Sequence, residues 1–350
     1  MDESEKLNFA LEFYSRQKAM KEFSSKEQKM LFNSKVAVVG VGGLGTVSSI
    51  YLALAGVGKL RLIDQDTVEL KNLHRQILYK TSDLDYPKAE IASNQLEKMN
   101  PLLQAEAVSE NINSNNVEEL LAGVNCVVDG LDNMSTRYLI NQTCVKMKIP
   151  YVFGAAIGLE GNLSVFAPPD TGCLKCLLPT VSDEELMTCE TRGVVGATPG
   201  IIGSMQAVET IKILTGIGTP LKGKLMICDF SDMYFTTINI SKNNACPVCQ
   251  LIEDEKIPAE KLVWLCGKET ANINPKTPFN LNLNELTKLV QKEFKLKLKS
   301  HLAIIFYYEN LEVSLFKGGR MLIKNVDGEK TALSAYRMIL KKLKILPNKK

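Results

Sequence analysis

The stretch Lys35-Val36-Ala37-Val38-Val39-Gly40-Val41-Gly42-Gly43-Leu44-Gly45 decides the fold. An apolar, mainly β-branched run ends in a glycine turn, as a strand buried on both faces does. The turn opens a helical segment reaching about residue 55, and a second apolar strand, Leu60-Arg61-Leu62-Ile63, runs into Asp64, nineteen residues past Gly45. Strand, glycine turn, helix, strand and acid is the opening of a nucleotide-binding βαβ unit. Gly40, Gly42, Gly43 and Gly45 let backbone amides approach a phosphate, and the helix N-terminus favours its charge. Asp64 stands where a carboxylate accepts hydrogen bonds from ribose hydroxyls.

Outward from this stretch the theme repeats. The pattern predicts a helix over 88–98 ended by Asn100-Pro101, a strand over 105–108, the run Cys126-Val127-Val128 into Asp129, a helix over 136–147, and the strand Tyr151-Val152-Phe153-Gly154. The expected fold is α/β, a Rossmann-like doubly wound, mostly parallel sheet. A polar helical stretch over 4–22 precedes it, which sets an N-terminal helical segment at residues 1–34. A buried helix over 200–214 and strands near Leu225 and Phe235 follow, and the charged run Glu253-Asp254-Glu255-Lys256-Ile257-Pro258 reads as a linker. The nucleotide domain is therefore placed at 35–257 and a small basic α+β C-terminal domain at 258–350. Its strand near Ala271, helix over 284–294, strands over 302–308, 311–316 and 321–323, and helix over 330–344 carry no catalytic motif. Their order faintly resembles a TATA-binding-protein repeat, a likeness of topology that brings no DNA binding with it.

Two Cys-x-x-Cys pairs, Cys173/Cys176 and Cys246/Cys249, stand seventy residues apart. Four thiolates at this spacing suit one tetrahedral Zn²⁺, a zinc clip on the nucleotide domain. A single pair would equally suit a redox dithiol, and four unrelated thiols would pack well in a core. Cys126, Cys144 and Cys228 lie in apolar segments and read as core, as does Cys266; His74 and His301 lack paired ligands and read as structural.

Composition narrows the class. The chain has 350 residues and is 45% hydrophobic, ample for a large core. Nine cysteines, an odd number, and a start at Met1-Asp2-Glu3-Ser4-Glu5-Lys6 without the pattern of a signal peptide favour a reducing, cytoplasmic setting. No apolar run is long enough to span a bilayer. Residues 258–350 hold 18 Lys+Arg against 8 Asp+Glu, whereas the whole chain is formally +3. Those lysines are spread as on a solvated face, so nucleic acid is not the expected partner.

The glycine turn and Asp64 alone would most often mean an NAD-dependent dehydrogenase. The residues downstream of Asp64 change that reading. Asn72-Leu73-His74-Arg75-Gln76, Lys88 and Asp132-Asn133 add an amide, two cations and a metal-binding carboxylate, which is equipment for a triphosphate with Mg²⁺.

With these motifs in order, the chain over residues 8–250 resembles the MoeB/ThiF branch of the ubiquitin-activating enzyme superfamily. The resemblance rests on Gly-Val-Gly-Gly-Leu-Gly at 40–45, Asp64-Gln65-Asp66-Thr67-Val68, Asn72-x-x-Arg75-Gln76, Lys88, Asp129-x-x-Asp132-Asn133 and both cysteine pairs. It implies an adenylyltransferase that uses ATP to activate the C-terminal glycine of a ubiquitin-like or sulfur-carrier protein, and that works as a homodimer. It further implies that Asp64, with Asp66 and Gln76 beside the site, holds the ribose end, that Asn72, Arg75 and Lys88 hold phosphates, and that Asp132 holds Mg²⁺. Arg16, in Tyr14-Ser15-Arg16-Gln17, matches an arginine that reaches into the other subunit's ATP site. Cys189, in Met187-Thr188-Cys189-Glu190-Thr191-Arg192-Gly193, matches a loop cysteine that is covalent in some members and a spectator in others. The loop there reads Glu-Thr-Arg-Gly where relatives often carry small residues, and the C-terminal domain is not their common appendage. An NAD-dependent oxidoreductase and a non-catalytic subunit that docks a carrier are the competing expectations.

Overall fold

The computed structural model describes residues 2–183, 192–252, 262–265, 270–275 and 278–345. Three helices lead in: α1 (Glu3–Phe13), α2 (Ser15–Lys18) and α3 (Ser25–Phe32). The helix expected over 4–22 is thus broken at Tyr14. The Tyr14 ring is buried and its hydroxyl accepts from the Asn100 side-chain amide at 2.8 Å, so the chain bends to deliver it.

The main sheet begins with β1 (Lys35–Val39), α4 (Gly43–Ala55), β2 (Lys59–Ile63), α5 (Lys88–Met99) and β3 (Gln104–Val108). It continues with α6 (Val117–Leu121), β4 (Cys126–Asp129), α7 (Met134–Met147), β5 (Tyr151–Ile157) and β6 (Glu160–Phe166). The later elements are α8 (Leu174–Leu177), α9 (Ala197–Thr215), β7 (Lys224–Asp229), β8 (Tyr234–Asn239) and α10 (Pro247–Gln250). Strand order is β3-β2-β1-β4-β5-β6-β7-β8. The first five strands are parallel, with helices on both faces; β5 to β8 are joined antiparallel. Double-sided cover explains why every residue of β4 is buried. Each such valine contributes roughly 1.5–3 kcal/mol of transfer free energy. The switch in direction comes at Gly158-Leu159, a two-residue hairpin between paired Ile157 and Glu160, with Gly158 at φ 56°.

A second sheet holds β9 (Leu262–Leu265), β10 (Thr270–Ile273), β11 (Lys295–Lys299), β12 (Ala303–Tyr308), β13 (Leu311–Phe316) and β14 (Met321–Lys324). Its order is β11-β12-β13-β14-β10-β9. Helices α11 (Leu283–Glu293) and α12 (Glu329–Lys342) lie on one face, where Leu286, Val290, Ala335 and Ile339 pack on Ala271, Ile304, Phe306, Val313 and Ile323. Alternation puts Ala303, Ile305, Phe316 and Leu322 on the other face, and these too are buried. That face carries the contacts to the main sheet. Glu90 of α5 accepts the amides of His301 and Leu302 at 3.0 and 3.1 Å. Asp85 meets Lys297 and Lys324 at 2.6 and 3.2 Å, and both lysines also reach Glu312.

Candidate active site

The site is built at the C-terminal ends of β1, β2 and β4, where open α/β sheets bind ligands. Gly40 leaves β1 at φ 82°, and a Cβ there would lie 2.6 Å from the Gly130 carbonyl oxygen. At Gly45 a Cβ would stand 1.9 Å from the Gly40 oxygen, so α4 sits directly against the strand end. The first residue of α4 follows Gly42, and no side chain caps the helix. Its free amides and the positive end of its dipole therefore face the cavity. The turn is held on both sides: Val41 donates to Asp64 Oδ2 at 2.7 Å, and the Tyr79 hydroxyl donates to the Val41 carbonyl at 2.8 Å.

The cavity is about 290 Å³, lined by Gly40, Gly42, Gly43, Asp64, Asp66, Arg75, Gln76, Lys88 and Asp132 among others. Residues spread over nearly a hundred positions thus meet in one place. Lys88, the first residue of α5, is buried and pairs with Asp66 Oδ2 at 3.0 Å. Burial alone would lower the Lys88 ammonium, but Asp66 and Asp64 hold it above its ordinary value, so it stays charged. Burial pushes the Asp64 carboxyl upward, with Lys88 opposing and Asp66 adding to the rise. Arg75 flanks Gly43, its guanidinium donating to Asn72 Oδ1 at 2.7 Å and to the Lys71 carbonyl at 3.3 Å.

Two of the expected residues stand behind the cavity. Asn72 is buried with its oxygen taken by Arg75, so it aims the guanidinium. Gly45 serves the packing of α4. Arg16 is exposed on α2, outside the cavity of its own chain. Cys189 and Cys266 lie outside the described residues.

Asp132 lies at the cavity mouth just ahead of α7, which Asn133 caps by accepting from the Thr136 amide at 2.9 Å. Its loop is set by Asp129, whose carboxylate accepts from the Leu131 amide at 2.8 Å, from Arg137 Nε at 3.0 Å and from the Tyr151 hydroxyl at 2.7 Å. Arg137 also donates to the carbonyls of Leu131 and Gly154 at 2.7 and 2.9 Å. Sequence reading passed over Arg137 and Tyr151. The available signal was Asp129 itself, because an acid ending a wholly apolar strand requires buried donors.

The donor set fits a nucleoside triphosphate. Free helix amides and two cations suit phosphates, and a carboxylate at the mouth suits a hard cation such as Mg²⁺. Gln76 Oε1 is buried, without a partner, in a residue lining the cavity, an acceptor open to a ligand donor.

The four cysteines also converge. Cys173, Cys176, Cys246 and Cys249 place their sulfurs within 4.8 Å of one another, with 3.8 Å between Cys173 and Cys246 and 3.5 Å between Cys176 and Cys249. Zn–S bonds of about 2.3 Å set tetrahedral sulfurs roughly 3.8 Å apart, so the cluster fits zinc. Without a cation, burial pushes the Cys173 thiol up to about 11. A divalent ion is what would draw such protons off.

Comparison with known proteins agrees with this geometry. The ThiF family pattern matches residues 14–248. The Escherichia coli sulfur carrier protein ThiS adenylyltransferase is 40% identical over 237 residues, covering 67% of this chain and 94% of that protein. The SAMP-activating enzyme E1 of Haloferax volcanii is 41% identical over 240 residues, covering 68% of this chain and 88% of its own. Among solved structures, E. coli MccB with MccA-N7isoASN superposes with a TM-score of 0.62 at 24% identity, over 68% of this chain and 74% of that one, a likeness of fold. The chain belongs to the ThiF family.

Proposed function

We infer that this chain is an adenylyltransferase that uses ATP to activate the C-terminal carboxylate of a ubiquitin-like sulfur carrier. One observation carries the reading: the glycine turn, Arg75, Lys88 and Asp132 share a cavity that Glu160 and Asn162 of the antiparallel strand β6 also line. The names and identities of the relatives support the activity and the class of substrate.

The chemistry rests on charge. A terminal carboxylate is ionised near neutral pH and attacks the α-phosphorus without a general base. The new C–O–P linkage forms as the bond to pyrophosphate breaks, giving an acyl-adenylate and pyrophosphate. Negative charge grows on the α-phosphate and on the leaving group, where Arg75 and Lys88 neutralise it. Mg²⁺ held by Asp132 would supply further charge to the phosphates. The pairing of buried Lys88 with the half-buried Asp66 keeps the ammonium charged and fixed, so stabilisation needs little reorganisation.

In our reading Arg16 completes the site of a second copy of the chain, as a homodimer allows. The zinc clip is structural, and free thiols suit a reducing cytoplasm. Cys189 remains for trapping of a thiol-labile adduct to decide, between a covalent link to the carrier and a spectator.

The test is carrier-dependent exchange of labelled pyrophosphate into ATP. Wild type with a carrier ending in Gly-Gly is expected to exchange, and Asp132→Ala to lose about a hundredfold or more. Exchange untouched by that change, or tight binding of NAD in place of ATP, overturns the proposal.

A further inference from the structure

Arg320, beside β14 of the second sheet, is 4% exposed, and its guanidinium carbon lies 3.7 Å from the centroid of the Phe316 ring. It leans toward the main sheet. Its Nη2 donates to the Gln65 carbonyl at 2.7 Å and to the Ser109 carbonyl at 3.0 Å, and Nη1 donates to Asn272 Oδ1 at 3.2 Å. Asn272 in turn donates to Gln65 Oε1 at 3.2 Å. Gln65 is thus held at its backbone and its side chain by two residues of the second sheet.

The position of these carbonyls matters. Asp64 makes a ladder bond to Val108 at 3.0 Å, the last between β2 and β3 before both strands end. Gln65 and Ser109 come directly after, where the sheet no longer provides partners. A planar guanidinium that bridges the two carbonyls fixes the separation of the 64–66 turn from the 109–110 segment. Asp64, Gln65, Asp66 and Glu110 all line the nucleotide cavity. Burial lowers the Arg320 guanidinium to about 10, while Asp66, Asp64 and Glu110 oppose that fall. A cation set behind three carboxylates also offsets the repulsion they would exert on a triphosphate.

We propose that Arg320 is a positioning residue of the nucleotide site, holding the ribose-facing turn from behind, so that the second sheet forms part of ATP recognition. The proposal rests on the adenylation reading and deepens it.

The test uses the full chain as wild type, Arg320→Met, Arg320→Lys and Phe306→Leu. Phe306 is buried against the helices on the far face of the same sheet, so its variant reports loss of stability alone. Calorimetric titration with Mg·ATP and with analogues lacking the 2′ or 3′ hydroxyl is combined with carrier-dependent pyrophosphate exchange. Arg320→Met is expected to raise KM and Kd for ATP about tenfold with kcat changed less than about twofold, and to narrow the preference for ATP over the deoxy analogues. Arg320→Lys, which keeps the charge and loses the fork, recovers part of both effects. Phe306→Leu lowers the melting temperature and leaves KM for ATP in place. If Arg320→Met fails to fold, Arg320→Lys carries the test through a rise in KM at constant kcat. Wild-type affinity and deoxy discrimination in the Arg320 variants overturn the proposal, as does an equal shift in Phe306→Leu. A wild-type chain that does not bind ATP overturns the adenylation reading as well.

Discussion

Asp129 ends β4 fully buried, and burial raises its carboxyl above the usual carboxylate range, against the pull of Arg137 and Tyr151. Arg137 is equally enclosed and spends its donors on Asp129 and two carbonyls that frame the cavity. Removing one member of such a pair leaves the other as an uncompensated buried charge, at a cost of about 3–5 kcal/mol. Arg137→Met is therefore expected to lower unfolding free energy by that order in denaturant titration, and Tyr151→Phe by about 1 kcal/mol. An Arg137→Met protein as stable as wild type would refute the pair's structural weight. At this scale the sequence grouped Asp64, Lys88 and Asp132 at one site, and the three do line one cavity. It set Asn72 on the phosphates, whereas its oxygen accepts from Arg75, because whether an amide meets a ligand or a neighbouring guanidinium depends on a side-chain direction that spacing does not set. Arg320 was hidden for a related reason: its partners are main-chain carbonyls 211 and 255 residues away, which leave no pattern in sequence.

Among the elements, the parallel strands and their helices were readable, since double-sided burial writes continuous apolar runs. Strand β11 was not. Lys295-Leu296-Lys297-Leu298-Lys299 alternates as a strand does, yet the sequence reading leaves it unassigned between the helix over 284–294 and the strand over 302–308; as an edge strand it uses its charge to resist pairing with other chains. The break at Tyr14 was hidden because the cause, a bond to Asn100, is 86 residues distant. The convergence of the four cysteines was legible from spacing alone. A zinc ion held there would tie α8 to α10, two helices of four residues each, too short to hold by themselves. One zinc per chain is expected by elemental analysis. Chelation, or Cys246→Ser, is expected to lower the melting temperature by roughly 5–10 °C. A zinc-free protein with an unchanged melting temperature would show that the clip is idle.

At the level of the molecule, the two sheets are joined by ionic contacts that the sequence did not announce, because Asp85 sits in the loop ahead of α5 while Lys297 and Lys324 stand on the second sheet, far along the chain. Lys297 and Lys324 hold the Asp85 carboxyl below its ordinary value even though burial works the other way. A carboxylate lowered on folding contributes stability that is complete above its unfolded value, about 3.9, and lost as pH falls through the folded one. Asp85 has φ 71°, a conformation asparagine tolerates, so Asp85→Asn removes charge without straining the chain. The variant is expected to be less stable than wild type by about 1 kcal/mol at pH 7, a figure reduced for solvent screening. That gap should close below about pH 4 in paired thermal melts. A gap constant down to pH 3 would assign the loss to something other than charge.

The hairpin at Gly158-Leu159 has a consequence for the kind of molecule that fits. A strand added in parallel needs a crossover, usually a helix, and that helix roofs one side of the sheet. By folding straight back, the chain joins β6 to β5 without such a helix; α9, in the longer connection to β7, covers one face, and on the opposite face Ile227, paired with Asn162 at the cavity wall, stands open to solvent with Tyr234 and Ile238. On the proposed reading, a nucleotide leaves this bare apron of floor unused, and a folded polypeptide, with only its tail threaded toward the phosphates, would rest its body there.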